Sequence, residues 1–262
     1  MSSDGDDLVA TLHRRADLLG LLTDESRTKQ DLIDELEVSR STVDRSLREL
    51  ETANCVTRED GEFVATAVGR VLLETYESHY AQVDGVSRAA DVLVNLPRSA
   101  PLSPELLAGA RILRPDPPNP HTAYEELEAI IKTARQFRGI SVASTHFRFP
   151  GLLRDRTVEA EVSMELIGTP EMTRLLHTDF REPMHEAMTD GQLDLYKRED
   201  LPFGMLLGEH DEGANVAVVV YGPRSDLAGI ILNDTPEAIT WARLLYRRYR
   251  QDATPVDPPS LE

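Results

Sequence analysis

Cysteine and long apolar segments are what this 262-residue sequence has least of. Cys55 is the single cysteine, so an internal disulfide is impossible and a cysteine-rich metal site is excluded. The sequence has no apolar run long enough to predict a membrane-spanning helix. Its first seven residues are acidic and polar, unlike a secretory signal, and we therefore expect a cytoplasmic protein.

Positive charge is also scarce. The chain has 46 Asp and Glu against 28 Lys and Arg, and Lys29, Lys132 and Lys197 are its only lysines. A net charge of −18 opposes DNA binding, which depends largely on neutralising phosphates. Either the protein binds no nucleic acid, or it works in a salt-rich cytoplasm, where carboxylates keep it hydrated and salt screens the repulsion. Scarce lysine beside plentiful arginine favours the second explanation, so the local arrangement of cations has to decide.

Residues 1–68 carry the pattern of three helices and a β-hairpin. Leucines at helical spacing predict a first helix, and Thr28 and Ser39 are each placed to cap a further short helix. The segment Val56–Thr66 predicts two short strands around an Asp-Gly turn. This order is that of a winged helix-turn-helix, whose second motif helix enters the major groove of DNA.

The third predicted helix has one apolar face and one arginine-rich face. Residues 39–48 hold three arginines and one acid, which reverses the charge balance of the whole chain. Arginine binds phosphates or guanine, and Ser and Thr suit phosphates or base edges. A winged helix used for protein contacts and a merely solvated arginine face are the open alternatives. The predicted DNA-binding residues are Thr28, Lys29, Ser39, Arg40, Ser41, Thr42, Arg45, Arg48 and Arg58.

A second domain follows a boundary region. Residues 69–121 are expected to form a linker helix and a proline-rich connection, since residues 97–120 contain seven prolines. In residues 122–251 helical and strand-like patterns alternate, and the apolar run Val216–Val220 predicts a strand buried on both faces. The expected fold class is α+β multidomain, a winged helix-turn-helix followed by an α/β sensor domain with a central mixed sheet. The polar residues 252–262 are expected to be a disordered tail.

Motifs of the common enzyme classes are absent from the sequence. It contains no Gly-x-Gly-x-x-Gly, no Walker loop, no Gly-x-Ser-x-Gly and no His-Glu-x-x-His, so we expect neither catalytic residues nor a metal or cofactor. Ligands of open α/β sheets bind at strand ends, where the candidates are Ser144, Thr145, His146 and His210. Two alternatives stay open. One is that the four candidates are ordinary polar residues at strand ends. The other is that a metal ion is bound by His146, His177, His185 and His210.

Two parts of the sequence resemble known regulators. Residues 28–50, with Val-Ser-Arg-Ser-Thr-Val before an arginine- and leucine-rich helix, are similar to archaeal winged helix-turn-helix regulators. Leu113-Arg-Pro-Asp-Pro-Pro-Asn-Pro, Phe137-Arg-Gly-Ile-Ser and Gly229-Ile-Ile-Leu-Asn-Asp-Thr-Pro-Glu resemble haloarchaeal regulators with a FilR1-type middle domain. The resemblance implies a dimeric transcription factor of an extreme halophile, bound to promoter or operator DNA. It does not identify the effector.

The second domain is also similar in element order to half of a phospholipase-D-like domain. That chemistry needs a His-x-Lys pair, and the nearest approach here is His146-Phe147-Arg148. A domain of this topology without its catalytic motif would bind a small molecule or a partner. The alternatives are an enzyme-like metal- or metabolite-binding protein with a vestigial winged helix, and a protein-interaction adaptor.

A homodimer is expected, because two winged helices reading two half-sites need a surface that joins the chains. The interface would use an apolar stripe after residue 67 or the aromatic face of the last helix, unless these pack on their own domain. The stripe is Val68, Leu72, Tyr76, Tyr80 and Val83, and the aromatic face is Trp241, Tyr246 and Tyr249.

Overall fold

The computed structural model describes residues 3–115, 122–142 and 162–260. The chain divides into two units, Met1–Ala81 and Gln82–Glu262. The sequence-based division instead separated a linker at residues 69–121. In the structure these residues supply a long helix that contributes to both units, followed by a short helix and an edge strand of the second unit.

Unit 1 has the predicted order of elements. They are α1 (Ser3–Asp24), α2 (Lys29–Leu36), α3 (Arg40–Thr52), β1 (Val56–Glu59), β2 (Glu62–Ala65) and the first part of α4 (Ala67–Leu93). Both predicted helix caps are confirmed. Thr28 and Asp31 form a reciprocal capping box at α2, and the Ser39 hydroxyl accepts a hydrogen bond from the Thr42 amide at 3.2 Å.

The core of unit 1 is built from the apolar faces of its helices and of the hairpin. Burial of a leucine side chain contributes roughly 1.5–3 kcal/mol. In unit 1, the leucines that are at most 1% exposed are Leu19, Leu22, Leu32, Leu47 and Leu50.

The hairpin has the tight turn that the Asp-Gly pair predicts. Asp60 and Gly61 have φ angles of 50° and 96°, as a two-residue turn that matches the strand twist requires. Arg27 adds a third backbone segment beside β2, since its amide donates to the Phe63 carbonyl at 3.0 Å and its carbonyl accepts from the Phe63 amide at 2.8 Å. An isolated bridge has no periodic pattern, so the sequence does not predict it.

Unit 2 contains the end of α4 and thirteen further elements within the described residues. They are α5 (Pro104–Leu107), β3 (Arg111–Leu113), α6 (Thr122–Thr133), β4 (Gln136–Ser141), β5 (Ser163–Gly168), α7 (Pro170–Asp179), α8 (Arg181–Thr189), β6 (Leu193–Lys197), β7 (Gly204–His210), β8 (Gly213–Tyr221), β9 (Leu227–Asn233), α9 (Pro236–Gln251) and β10 (Thr254–Pro255). In these described ranges, no helix combines the length and apolar character needed to cross a membrane.

The predicted central mixed sheet is present. Its strand order is β10-β6-β5-β4-β7-β8-β9-β3, with β4, β5 and β6 parallel and the other neighbours antiparallel. Residues of α4, α5 and α9 pack on one face of the sheet, and residues of α6, α7 and α8 pack on the other. The run Val216–Val220 divides its side chains between these two cores, as predicted for a strand buried on both faces.

Thr169-Pro170-Glu171 is typical of a helix start and predicts a single helix to about Asp190, but the structure has two helices there. Phe180, at φ −127° and ψ 32°, ends α7 and precedes α8. Pro183 explains the break, because it lacks the amide proton that would bond to the Asp179 carbonyl in a continuous helix, and its ring would collide with that carbonyl.

The prediction of a disordered tail from residue 252 is wrong for residues 254–256. Thr254 and Pro255 pair with β6, and the Val256 amide donates to the Leu195 carbonyl at 2.9 Å. This pairing covers the free edge of β6 through backbone groups, which a polar, proline-rich composition does not reveal.

The aromatic face of α9 packs inside unit 2. Tyr246 and Tyr249 are buried in the sheet core and Trp241 packs against it. These side chains therefore belong to their own unit, the second of the two possibilities that the sequence left open.

Candidate nucleic-acid interface

The outer face of α3 presents three arginines to solvent. Val43, Ser46, Leu47 and Leu50 hold the opposite face in the core, which fixes the rotation of the helix. Arg40, Arg45 and Arg48 are all exposed. Among the described residues, no carboxylate forms an ion pair with any of the three within 4 Å. Their charges are therefore free to meet an anion.

Two acidic side chains of α3 are each held by a cation from another element. Lys29 at the start of α2 donates to Asp44 Oδ1 at 2.6 Å, and Arg15 of α1 donates to Glu49 Oε2 at 3.0 Å. The hydrogen bond from Lys29, then the charges of Lys29, Arg40 and Arg48, lower the pKa of the partly exposed Asp44 carboxyl. The hydrogen bond from Arg15 likewise lowers the pKa of Glu49. This pairing leaves the α3 arginines as uncompensated charge.

Hydroxyl groups surround the N-terminus of α3. Ser39 Oγ lies 2.9 Å from Ser41 Oγ and 2.8 Å from Thr42 Oγ1, and all three residues are exposed. The amide groups of the first helical turn carry a partial positive charge that favours a phosphate. Hydroxyls and arginines thus lie along one exposed helix.

The remaining predicted contacts have local roles in unit 1. Lys29 is bound to Asp44, and the Thr28 hydroxyl bonds to Asp31 Oδ2 at 2.7 Å. Arg58 is exposed on β1, with its guanidinium 5.6 Å from the centre of the Phe63 ring. The hairpin tip beyond Arg58 carries Glu59, Asp60 and Glu62, so positive charge is concentrated on α3 rather than on the hairpin.

The four ligand candidates in unit 2 do not form a described site. His210 ends β7, and the antiparallel pairing Gln136↔Glu209 places it where β4 begins, at the sheet edge opposite Ser141. There its Nε2 lies 2.6 Å from Asn215 Oδ1. The other three candidates, Ser144, Thr145 and His146, lie outside the described residues. Because β4 and β7 run in opposite directions, His210 lies away from the carboxyl end of β4, and the assignment of the four candidates to one ligand site stays a prediction.

The described histidines of α7 and α8 also occupy separate environments. His185 Nδ1 lies 2.8 Å from the Pro259 carbonyl oxygen. Burial lowers the pKa of His177, whose Nε2 has no hydrogen-bond partner among the described groups. Within the described ranges, no group of three or more His, Cys, Asp or Glu side chains is arranged to hold a metal ion.

Two family models match the chain. The model described as methanogenesis regulatory protein FilR1, middle domain, covers residues 120–252, and the HVO_A0261 N-terminal domain model covers residues 3–88. The chain belongs to the FilR1 family of archaeal transcription regulators. The resemblance of the second domain to FilR1-type regulators is thereby confirmed. Among curated proteins, no sequence matches this FilR1-family chain.

Solved structures show more distant likenesses. TrmBL2, described as an archaeal chromatin protein with a novel mode of DNA binding, has a TM-score of 0.45 at 12% identity, over 97% of this chain and 100% of its own. Phosphatidylserine synthase from Haemophilus influenzae has a TM-score of 0.39 at 12% identity, over 56% and 39% of the two chains. An O-methyltransferase family protein from Burkholderia thailandensis has a TM-score of 0.28 at 16% identity, over 75% and 62%. The chain spans less than two thirds of these last two proteins, and no score reaches the level at which a likeness bears on function.

Proposed function

We propose that this FilR1-family chain is a sequence-specific transcription regulator, which binds double-stranded DNA through unit 1 as a winged helix-turn-helix. The observation that carries the proposal is the set of exposed, unpaired arginines on α3 in a chain of net charge −18. Arg40, Arg45 and Arg48 are the groups that phosphates and guanine edges bind best. A surface that reverses the global charge at one helix points to a specific anionic partner.

The other predicted residues take supporting roles in this proposal. Ser39, Ser41 and Thr42 donate hydroxyls to the backbone or to base edges near the start of α3. Thr28, Lys29 and Arg58 contact phosphates on either side, and Lys29 exchanges Asp44 for a phosphate when DNA binds. Because Lys29 and Asp44 are both partly exposed, the exchange costs little.

The excess of carboxylates fits a protein that works in a salt-rich cytoplasm. Surface carboxylates keep the chain hydrated there, and the Debye length falls to about 3 Å at 1 M salt. Repulsion between DNA and distant acids is then screened, whereas arginines in contact with phosphates still bind. Occupancy at high salt therefore depends on the residues that contact DNA directly rather than on the net charge of the chain.

A homodimer is part of the proposal, because one winged helix gives little affinity by itself. Within unit 1, α4 exposes Val68, Val71 and Tyr80 by 49%, 62% and 56%. Val68 and Val71 are three residues apart and therefore share one face of α4, which suits contact with a second copy. By contrast, Leu72 and Tyr76 of the predicted stripe pack against the core of unit 1. Light scattering in molar KCl measures the mass directly, and a monomer would remove this part of the proposal.

Unit 2 is proposed to be a non-catalytic domain that senses a small molecule. Its mixed sheet covered by helices on both faces is compatible with the phospholipase-D-like topology expected from the sequence, which stays a prediction. The regulated genes, and whether they are repressed or activated, follow from occupancy in the host rather than from the fold.

The test begins with selection of bound duplexes from a random DNA library by the full chain. Affinity for the selected duplex is then measured in a series of KCl concentrations. We compare the wild type with the double variant Arg45→Ala, Arg48→Ala and with Arg174→Ala, Arg224→Ala. The control removes the same charge from two exposed arginines of unit 2.

The α3 double variant is expected to bind about thirtyfold more weakly or worse, since each arginine contributes roughly 1–3 kcal/mol. The slope of log affinity against log salt is expected to become less steep by about one for each phosphate that is no longer neutralised. An equal effect in the control would show a general charge effect. Wild-type affinity in the α3 variant would contradict the assigned face.

A further inference from the structure

A second group of arginines lies over a cavity in unit 2. Arg243, Tyr246, Arg247 and Arg250 recur at spacings of three and four along α9 and therefore share one helix face. Together with strand residues they line a cavity of about 480 Å³. The strand residues are Arg138 of β4, Glu165 of β5 and Glu209 of β7.

Two of these arginines are already neutralised by the two glutamates. Arg138 lies 3.2 Å from Glu165 and 3.3 Å from Glu209. Arg243 lies 2.8 Å from the other oxygen of Glu209. The four arginines and two glutamates that line the cavity leave a net charge of +2.

The remaining two arginines have no carboxylate partner. Among the described residues, no carboxylate oxygen lies within 4 Å of a side-chain nitrogen of Arg247 or Arg250. The Arg250 guanidinium instead stacks on the Tyr196 ring, 3.3 Å from its centre. Stacking orients the guanidinium plane while its N–H groups stay able to donate.

Tyr246 brings a buried polar group without a partner. The residue is 2% exposed, lines the cavity, and its hydroxyl makes no hydrogen bond with any described group. Burial, and next the charge of Glu165, raise the pKa of Tyr246 far above its usual range, so the hydroxyl stays protonated and able to donate. Buried hydroxyls in folded proteins nearly always have a hydrogen-bond partner, so this one is available to donate to an acceptor in the cavity.

We propose that this cavity binds the phosphate group of a phosphorylated small molecule. A phosphate monoester carries a charge of about −1.5 to −2 at pH 7, which matches the positive charge of the lining. Its oxygens can accept hydrogen bonds from several directions at once. This suits a site whose donors are the arginines of a helix and a buried phenol. The cavity volume lies in the range of small-molecule sites, so an organic part fits beside the phosphate.

This inference deepens the proposed sensing role of unit 2 and rests on it. The alternative is that the arginines and glutamates form a structural ion network and bind nothing. A dicarboxylate of the same charge is a further possible occupant. The two glutamates keep Arg138 and Arg243 in place in each case, so the test concentrates on Tyr246 and Arg247.

The experiment is isothermal titration calorimetry of the full chain without DNA, at constant ionic strength set by KCl. The probes are inorganic phosphate, glycerol 2-phosphate and succinate. The variants are Tyr246→Phe and Arg247→Ala. The control is Arg248→Ala, which removes the same charge from the next residue of α9, outside the lining of the cavity.

We expect saturable binding of glycerol 2-phosphate, tighter than that of inorganic phosphate, and none of succinate. Tighter binding of inorganic phosphate would overturn the assignment to a phosphorylated organic molecule. Each of the two variants is expected to weaken binding by about tenfold or more, since hydrogen bonds to charged groups are the strong ones. Arg248→Ala is expected to stay within about twofold of the wild type. Binding of succinate but not of the phosphates, or of neither, would overturn the proposal.

In thermal unfolding without ligand, the Tm of one variant is expected to change in the opposite direction from its phosphate affinity. Tyr246→Phe removes an unsatisfied buried hydroxyl, so its Tm is expected to rise by about 2–4 °C while phosphate affinity falls. A lower Tm with unchanged affinity would show a structural role only. Because DNA is absent from both measurements, a failure here is distinct from a failure of DNA binding by unit 1.

Discussion

Two helices of this chain carry arginines at helical spacing, and their surroundings differ. On α3, Arg45 and Arg48 lie exposed on the outer face of the helix. On α9, Arg247 and Arg250 line a cavity beside a buried phenol. Arginine alone indicates an anion, but the shape around it decides which kind. An exposed helix face can enter the groove of a long polyanion, whereas a cavity admits only a small anion.

The largest expected effect comes from measuring both DNA binding and glycerol 2-phosphate binding for variants of α3 and of α9. Arg45→Ala, Arg48→Ala is expected to lower DNA affinity about thirtyfold or more while glycerol 2-phosphate binds as in the wild type. Tyr246→Phe and Arg247→Ala are expected to show the reverse, with DNA affinity in the absence of phosphate unchanged. Titration of each variant with both ligands is the measurement. A parallel decrease of both affinities in every variant would break the distinction between the faces.

A second prediction concerns the close packing of α4 against the start of the hairpin in unit 1. A Cβ atom added to Gly69 would lie 2.1 Å from the Cys55 carbonyl oxygen, so Gly69→Ala forces α4 and the start of the hairpin apart. We expect a decrease of about 1–3 kcal/mol in the free energy of unfolding, or more. Gly20→Ala is the control, because its nearest atom would be 4.0 Å away and alanine favours a helix by roughly 1 kcal/mol. Chemical denaturation measures both, and equal stability of the two variants would contradict the close approach.

The smallest expected effect is an increase in DNA affinity. Asp44→Asn removes the one acid among the α3 arginines and releases Lys29, so DNA affinity is expected to rise about three- to tenfold. Glu182→Gln, at an exposed position of α8, makes the same change in charge outside unit 1 and is expected to have little effect. A fall in affinity with Asp44→Asn would instead show that this carboxylate accepts a hydrogen bond from DNA, as from a cytosine amino group.

Local features of the fold followed from the sequence, and long-range contacts did not. The caps at Thr28 and Ser39, the Asp-Gly turn and the doubly buried β8 depend on neighbouring residues, and all are present. The pairing of β10 with β6 and the opposite direction of β4 and β7 depend on chain topology. Because β4 and β7 run in opposite directions, His210 lies at the end of β4 opposite Ser141.

The two candidate sites differ in the same way. The exposed face of α3 could be predicted because one helical period places Ser41, Arg45 and Arg48 together. The pairs that free this face, Lys29 with Asp44 and Arg15 with Glu49, join residues far apart in sequence. The cavity under α9 combines one helix with three strands, so only the sheet register brings its charges together.

Genome-wide DNA occupancy in the native host tests the central claim most directly. The chain, the Arg45→Ala, Arg48→Ala variant and the Arg174→Ala, Arg224→Ala control are compared at equal protein abundance. The account predicts sharp peaks upstream of a limited set of genes, which disappear in the first variant and are kept in the control. Peaks that persist in the α3 variant, or no peaks for the wild type under any growth condition, would contradict it.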